Sequence, residues 1–501
     1  MPTSSPPAPA APTPPAPAPR SSPWTPERLA FALVGGSLAL HVALAGLVGL
    51  SPQEAYYWQY ARHPALSYFD HPPLAAWTIR LTTALLGDGE RAVRLAAALH
   101  AAIFAAFTFL AGRRLFGAGV ALRAIAGALT VPLFALGQTV ITPDAPLLAG
   151  WAAALYFTAR ALDEERAPWL VAAGAAVGFA ALGKYTGWLL APQIFLALLL
   201  DRRGRRMLAG PWPWLALALA AALFSPVVVW NATHGWVSFG FQFGWRGATA
   251  GRFDALRVIR FLALQSAALT PLMLAALLAG AAGAARRWRE PSFRLCALFA
   301  LPTLVLFAAW SPFTWVKGNW LAPAWPSALL AAAAFAVEGR RRRLAAATLA
   351  TAAAGSLYVH LAMAIPALPF PAKDDVTAGW KELAARVQAH REAIPGPSFV
   401  LGCSYKPASL LAYYLPGRPE TYAQNAVQEE GLQYDFWFHP DGIVGREGIV
   451  VRDEREYRGC ERLARFCSPL EELPSLTVTR GRRTVTTFRL WRCRYLSGAA
   501  G

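Results

Sequence analysis

Apolar runs of about 20 residues recur along this chain, and short segments rich in arginine separate them. A run of that length can cross the roughly 30 Å hydrocarbon core of a bilayer as one helix. The chain is 55% hydrophobic and only 15% charged, whereas a soluble globular domain has roughly 25% charged residues. The sequence therefore predicts an α-helical polytopic membrane protein. It excludes a soluble enzyme, a disulfide-stapled secreted domain and a disordered chain as descriptions of the whole.

About eleven segments are apolar enough to span the membrane. These predicted spans lie at 29–50, 91–111, 124–141, 145–161, 168–183, 187–200, 211–230, 256–282, 293–311, 320–338 and 344–366. Segment 74–86 is apolar but short, which favours an interfacial helix. Residues 1–28 are expected to form a disordered tail, because residues 1–23 are mostly Pro, Ala and Ser. The tail lacks the charged-then-apolar order of a signal peptide, so the first apolar run is expected to remain as a span.

The net charge of +18 is unevenly distributed, and its distribution predicts the orientation of the chain. With the N-terminus in the cytoplasm and the spans alternating, the inside segments hold 19 Lys and Arg and the outside loops hold seven. Cytoplasmic loops typically carry such an excess. An odd number of spans then places residues 367–501 outside, in the periplasm of a Gram-negative host. Because the basic residues lie between apolar runs and not on one soluble face, nucleic acid is not a predicted partner.

The tail after residue 366 is predicted to be a separate soluble α+β domain, whereas residues 29–366 form the transmembrane domain. Segment 379–392 has the pattern of an amphipathic helix, and 398–405 and 486–493 have the patterns of strands. The tail also holds four of the five cysteines, which are Cys403, Cys460, Cys467 and Cys493. In an oxidising compartment they favour two disulfides, with three pairings possible and free structural thiols as the alternative.

The first outside loop, 51–77, has the densest set of unusual residues. It reads SPQEAYYWQYARHPALSYFDHPPLAAW and places two carboxylates and a histidine among aromatic rings. Rings stack on the C–H faces of a sugar and carboxylates accept bonds from its hydroxyls, so the loop predicts a sugar site. Its candidate residues are Glu54, Tyr57, Tyr68, Asp70 and His71. The alternative is an aromatic belt at the membrane interface, which explains the rings but not the acids beside a histidine.

The other outside loops add a carboxylate and several cations. Asp144 lies between two prolines in ITPDAPLLAGW (141–151), where it could cap the next span or bind substrate. Three further loops carry Lys or Arg beside aromatic residues, a chemistry that suits an anionic lipid head group. Each cation alone could instead be a solvated anchor. The candidate residues in these loops are Lys184, Tyr185, His234, Arg246, Lys317 and Asn319.

Several of these segments together resemble a known family. QEAYYW followed by YFDHPPLAAW resembles the first outside loop of bacterial glycosyltransferase family 39, which includes relatives of protein O-mannosyltransferases and lipid A aminoarabinose transferases. TPDAPL, GKYTGWLLAP, WNATHGWVSF and KGNWLAPAW resemble the family in the same order, as does YYLPGRPETY in the tail. The resemblance covers nearly the whole chain after residue 30. It implies the multi-span fold of the C-type glycosyltransferases.

The resemblance also implies an activity. Family members transfer a sugar with inversion from a polyprenyl phosphate-linked donor to a lipid, glycan or protein acceptor at the outer membrane face. For this chain the expected location is the bacterial inner membrane. The alternatives are a transporter or flippase for lipid-linked sugars, and a catalytically altered family member that acts as a scaffold.

One position departs from the family pattern. The family motif usually begins Asp-Glu-Ala, with the Asp taken as catalytic, and here Gln53 stands at that position. Glutamine cannot act as a general base, so Gln53 is assigned to substrate binding and Glu54 is the first candidate for the base, with Asp70 and Asp144 as alternatives. A divalent cation is a possible cofactor if Glu54, Asp70, His71 and Asp144 converge, although no metal-ligand spacing demands one.

Overall fold

The structure is a computed structural model that describes residues 24–245, 251–372, 374–438, 442–456 and 459–496. Most of the chain before residue 365 is helical. The helices are α1 (Pro26–Leu44), α2 (Pro52–Arg62), α3 (Leu74–Leu86), α4 (Glu90–Phe116), α5 (Ala118–Thr130), α6 (Pro132–Leu136), α7 (Asp144–Glu164), α8 (Pro168–Gly183), α9 (Leu190–Leu199), α10 (Arg202–Leu208), α11 (Trp212–Thr233), α12 (Val237–Phe239), α13 (Ala255–Leu269), α14 (Pro271–Arg286), α15 (Pro291–Trp310), α16 (Trp325–Glu338) and α17 (Arg342–Ala364). Short 3₁₀ segments precede α9 (Tyr185–Leu189) and α16 (Gly318–Ala324).

Every predicted span coincides with a helix or with two consecutive helices. Among the described residues, six helices are long and apolar enough to cross a membrane, and the bent pair α13–α14 would make a seventh. Shorter apolar helices lie in the predicted spans 124–141, 168–183 and 187–200, and 145–161 holds the 21-residue helix α7. This is therefore a multi-pass membrane protein whose count of eleven spans stays a prediction. Segment 74–86 is helical, as predicted, and its interfacial position stays a prediction.

The structure differs in detail from two predicted segments. The tail expected to be disordered to residue 28 ends earlier, because α1 begins at Pro26, with the Thr25 hydroxyl accepting from the Arg28 amide as a cap. Residues 1–23 lie outside the described residues. The predicted single span 256–282 is bent by 103° between α13 and α14. The bend falls at Thr270–Pro271, where proline has no N–H to continue the helical ladder.

Charged loops gather at one end of the helices. Arg114 contacts Asp163 and Glu164, and Arg294 contacts Asp201 at 2.6 Å. The further ion pairs at this end are Arg203–Glu165, Arg206–Glu165 and Arg287–Glu338. All of these residues belong to segments that the charge distribution assigned to the inside, so the structure brings the predicted inside loops together.

The chain after α17 forms a small α+β unit. Its elements are α18 (Trp380–Glu392), β1 (Phe399–Gly402), α19 (Tyr405–Tyr414), β2 (Glu447–Asp453), α20 (Leu463–Phe466), β3 (Cys467–Arg480) and β4 (Arg483–Tyr495), with 3₁₀ segments at Gln424–Val427 and Leu432–Phe436. The sheet order is β1-β2-β4-β3, with β1 parallel to β2 and the other pairs antiparallel. Disulfides join Cys403 to Cys460 and Cys467 to Cys493, so the disulfide expectation is confirmed.

This α+β unit packs directly on the first outside loop. The Tyr414 hydroxyl accepts from the Leu50 amide at 2.7 Å and donates to Glu90 at 2.8 Å. Arg418 contacts Asp88 at 3.0 Å. Rings of α2 and aliphatic side chains of α19 and β2 share one buried core. The tail therefore helps to fix the geometry of the loop in which most candidate site residues lie.

Candidate functional site

Glu54 lies in the first turn of α2 and is completely buried. Its carboxylate accepts from the Ser51 amide at 2.8 Å, while the Ser51 hydroxyl accepts from the Glu54 amide at 3.3 Å, which is a capping box. Arg94 of α4 donates to both carboxylate oxygens, at 2.9 and 3.0 Å. Arg94 also donates to backbone carbonyls at the end of α1, including Gly49 at 2.8 Å. Both oxygens of Glu54 are thus engaged in holding α1, α2 and α4 together, which argues against Glu54 as the base.

Asp70 has the environment of a functional carboxylate. It is 8% exposed. Its Oδ1 accepts from the hydroxyls of Tyr56, at 3.4 Å, and Tyr60. Burial raises the pKa values of both tyrosines well above the usual value for tyrosine, and the electrostatic effect of Asp70 raises these pKa values further. The two hydroxyls therefore stay protonated and donate to Asp70 Oδ1. His71 lies on the other side, with its Nε2 3.9 Å from Asp70 Oδ2.

Three amide and hydroxyl side chains fix the backbone around Asp70. Gln242 donates to the Asp70 carbonyl at 2.6 Å, and Ser238 donates to the Tyr68 carbonyl at 3.0 Å. The side chain of Gln433, in the C-terminal unit, accepts from the Phe69 amide at 2.7 Å, and its backbone amide donates to the Tyr56 hydroxyl at 3.0 Å. The sequence did not predict these contacts, because amide and hydroxyl side chains in loops have no pattern that identifies their partner.

The remaining aromatic candidates pack against other aromatic rings. The Tyr68 ring is completely buried and stacks on Tyr60 at 4.1 Å between centroids. Its hydroxyl donates to the Tyr60 carbonyl at 2.8 Å, so Tyr68 supports α2 and does not present its ring to a ligand. Tyr57 is also buried, with its ring 5.8 Å from that of His71. His234 stacks on Trp230 at 4.1 Å beside Phe436 of the C-terminal unit.

Gln53, the residue at the family's catalytic position, lies near the same cluster. It is partly buried on α2, beside the Tyr405 hydroxyl of the C-terminal unit. The Tyr405 ring in turn packs on Tyr56 at 4.6 Å. Gln53 therefore lies within the ring cluster that holds Asp70.

A second cluster joins three loops that are far apart in the sequence. Asp144 accepts from Lys184 Nζ at 2.7 Å and from Asn319 Nδ2 at 2.5 Å. Asp144 is the first residue of α7, where its charge favourably meets the helix dipole, as predicted, but its carboxylate makes no capping hydrogen bond. Lys317 is exposed next to this cluster in the sequence. Arg246 lies outside the described residues.

The Asp144 cluster lies at the edge of a largely apolar cavity of about 280 Å³. Helices α1, α4, α5 and α7 and the segment between α6 and α7 line it. The polar residues in its lining are Gln138, Thr142, Asp144 and Asn319. An apolar cavity with a polar, charged edge suits a lipid chain whose head group lies beside Asp144 and Lys184.

The Asp70 and Asp144 clusters are connected through packed aromatic side chains. The Tyr185 ring, next to Lys184, contacts Phe239 at 5.6 Å between centroids. Phe239 belongs to the segment that supports the Asp70 loop through Ser238 and Gln242. The four proposed metal ligands do not converge: in the part of the chain that the structure describes, no three His, Cys, Asp or Glu side chains form a metal-binding group. Arg94 and Lys184 instead pair with two of those carboxylates.

Parts of this sequence are similar to known proteins. The profile of the family described as dolichyl-phosphate-mannose-protein mannosyltransferase matches residues 70–230. The chain is 32% identical over 185 residues to the lipid A galacturonosyltransferase RgtD of Rhizobium johnstonii, an alignment that covers 36% of this chain and 38% of that relative. The chain thus matches less than half the length of this curated relative.

Solved structures extend the likeness to nearly the whole chain. ArnT from Cupriavidus metallidurans in the apo state superposes with a TM-score of 0.64 and 17% identity, over 93% of this chain and 97% of that one. The same protein bound to undecaprenyl phosphate gives a TM-score of 0.59 and 16% identity, over 93% and 98%. At this identity the likeness concerns the fold. The sequence resemblance is thus supported over residues 70–230, and the likeness of the fold to ArnT, with the architecture expected of a C-type glycosyltransferase, extends over 93% of the chain.

Proposed function

We propose that this protein transfers a sugar, with inversion, from a polyprenyl phosphate-linked donor to a lipid or glycan acceptor. The observation that supports the proposal is the Asp144–Lys184–Asn319 cluster at the edge of an apolar cavity, connected to the Asp70 loop through Tyr185 and Phe239. One of the two ArnT structures is bound to undecaprenyl phosphate, and RgtD is a lipid A galacturonosyltransferase. These two relatives support a polyprenyl phosphate carrier and an acceptor of the lipid A class.

The proposed reaction assigns separate roles to the two clusters. The lipid chain lies in the cavity and its phosphate lies near Lys184, with Lys317 close in the sequence as a second cation. The acceptor hydroxyl loses its proton to Asp70 as its oxygen attacks the anomeric carbon. The bond from that carbon to the phosphate oxygen breaks, and the electron pair stays on the phosphate, where Lys184 stabilises the developing charge. His71 and Gln53 orient the acceptor or the sugar, and Glu54 has a structural role.

The proposed orientation puts this chemistry at the outer face of the bacterial inner membrane. The N-terminus and the arginine-rich loops lie in the cytoplasm, and residues 367–501 form a periplasmic domain. Two observations support this: the 19-to-seven bias of basic residues and the two disulfides of the C-terminal unit. In the cytoplasm the cysteines of this domain would be kept as free thiols.

A transfer assay with the purified full chain tests the proposal. The assay follows radiolabelled sugar from several polyprenyl phosphate donors into a lipid extract that contains lipid A. Wild type should transfer label, and Asp70→Asn should lower turnover by roughly 100-fold or more if Asp70 is the base. Asp254→Asn is the matched control, since Asp254 caps α13 on the same side and asparagine caps equally well.

Each outcome of this assay has a defined meaning. Transfer by wild type and by Asp254→Asn, but not by Asp70→Asn, supports the enzyme and its base. Equal transfer by Asp70→Asn keeps the enzyme and removes Asp70 from the role. No transfer by folded wild type from any donor contradicts the proposed function and leaves the transporter or scaffold alternatives.

A further inference from the structure

Gln138 lines the apolar cavity next to the Asp144 cluster, and its amide nitrogen has no hydrogen-bond partner among the described residues. It lies between α6 and α7, is 4% exposed and belongs to the cavity lining. Its Oε1 accepts from the hydroxyl of Ser37, on α1, at 2.8 Å. Its Nε2 has no hydrogen-bond partner among the residues that the structure describes. Because the Ser37 hydroxyl holds the amide oxygen of Gln138, the amide NH₂ group is the one without a partner.

A buried donor without a partner is unfavourable. Leaving an amide N–H unsatisfied in an apolar environment costs roughly 1–3 kcal/mol. A purely structural residue at this position would be better replaced by an apolar side chain of the same shape. Because this unsatisfied amide belongs to the same cavity lining as Asp144 and Asn319, it points to a ligand that supplies an acceptor oxygen.

The chemistry of the cavity narrows the kind of acceptor. An isoprenoid chain has no hydrogen-bond acceptor, so Nε2 can pair only with the polar end of the donor, where the phosphate is the group that adjoins the chain. Lys184 is already paired with Asp144, and Asn319 also donates to Asp144. A neutral amide can bind a phosphate oxygen without adding a further charge that would need a counterion.

We propose that Gln138 binds a phosphate oxygen of the polyprenyl phosphate in this cavity, with Ser37 as the residue that positions its amide. The inference rests on the proposed function and deepens it, because it gives the phosphate a second contact besides Lys184. It also gives α1 a role in ligand binding, since Val34 and Leu38 of α1 line the same cavity.

Lipid binding to the full chain in detergent, measured by native mass spectrometry, tests this inference with two probes. Undecaprenyl phosphate and undecaprenol share the chain and differ only in the phosphate. Gln138→Met keeps the length of the side chain and removes the donor. It should weaken binding of undecaprenyl phosphate by about 10-fold, the size expected for a hydrogen bond to a charged group. Its affinity for undecaprenol should equal that of wild type.

Two further variants test whether Gln138 acts by binding the phosphate or by a general effect on the packing of the protein. Gln193→Met is the matched control, because Gln193 is equally buried, donates to Thr303 and does not line the cavity. It should leave both affinities unchanged. Ser37→Ala frees the Gln138 amide to rotate and should weaken only the binding of undecaprenyl phosphate, by a smaller factor than Gln138→Met.

The outcomes distinguish this inference from the proposed function. If wild type prefers undecaprenyl phosphate and Gln138→Met keeps that preference, the role of Gln138 is wrong and the proposed function stands. If Gln138→Met loses affinity for both lipids alike, Gln138 shapes the cavity and does not bind phosphate, which also overturns the inference. If folded wild type shows no preference for the phosphate, the proposed function fails and this inference fails with it.

Discussion

Arg94 holds the carboxylate of Glu54 in an ion pair in which the side chains are 3% and 0% exposed, respectively. Breaking such a pair leaves a buried, uncompensated charge, which costs roughly 3–5 kcal/mol. Glu54→Gln should therefore lower the melting temperature and the yield of folded protein markedly. The turnover of each folded molecule should stay within a few-fold of wild type. Thermal unfolding in detergent, together with transfer normalised to folded protein, checks both parts.

An exposed ion pair provides the control for this variant. Glu447 and Arg492 pair across β2 and β4 with side chains that are 32% and 36% exposed. Glu447→Gln should change the melting temperature little, since exposed pairs contribute roughly 0–1 kcal/mol. A Glu54→Gln protein that melts like wild type yet transfers no sugar would contradict the structural role and restore Glu54 as a candidate base.

Lys184 pairs with Asp144 and is the proposed contact for the departing phosphate. Lys184→Met should weaken binding of undecaprenyl phosphate by about 10-fold or more, because a charge-assisted contact is lost. Lys184→Arg keeps the charge and should lose less. Lys381→Met is the control, since Lys381 pairs with Glu90 at an exposed position of the C-terminal unit. Unchanged affinity in Lys184→Met would show that the phosphate lies elsewhere.

Gln433 connects the C-terminal unit to the Asp70 loop. Gln433→Leu removes the acceptor of the Phe69 amide, which then loses its bond in a buried environment. We expect turnover to fall several-fold, with a small change in melting temperature, because the loop that carries Asp70 loosens. Gln433→Glu retains an acceptor oxygen and should restore most of the turnover. Steady-state kinetics of the two variants check this, and equal losses in both would contradict a positioning role.

The sequence predicted the helices, and it singled out the three residues of the second cluster as candidates without predicting that they pair with one another. Long apolar runs leave no alternative to helices in a bilayer. Asp144, Lys184 and Asn319 were selected because all three fall in loops on the predicted outer side, and the structure brings them into contact. Since loops on one face of a helical bundle are close in space, that selection needed only the order of the spans.

The sequence did not predict the role of Glu54, because its partner is distant in the chain. Arg94 lies in the predicted span 91–111, and a cation there does signal a buried partner. Nothing in the sequence identified Glu54 as that partner, since the pairing depends on how α2 packs against α4. The contacts of Gln242 and Gln433 were missed for the same reason. A side-chain amide can donate or accept a hydrogen bond with many groups, and only the tertiary structure determines which group is its partner.

The two disulfides make a prediction about both stability and location. Within the described residues, Cys296 is the one free cysteine, and it is buried in α15. Protein purified from membranes and denatured without reductant should therefore expose one reactive thiol, and reduction should raise the count to all five cysteines. Cys296→Ala should lower the unreduced count to zero without changing transfer.

Reduction should also disturb the site. Losing a native disulfide from a small domain typically costs roughly 2–5 kcal/mol. The C-terminal unit holds the Asp70 loop through Gln433 and shares a core with α2, so reductant should lower its unfolding temperature and reduce sugar transfer together. Five thiols in unreduced protein, or transfer that is indifferent to reductant, would contradict the structural role of the disulfides. The former result would also remove one of the two arguments for a periplasmic location of this unit.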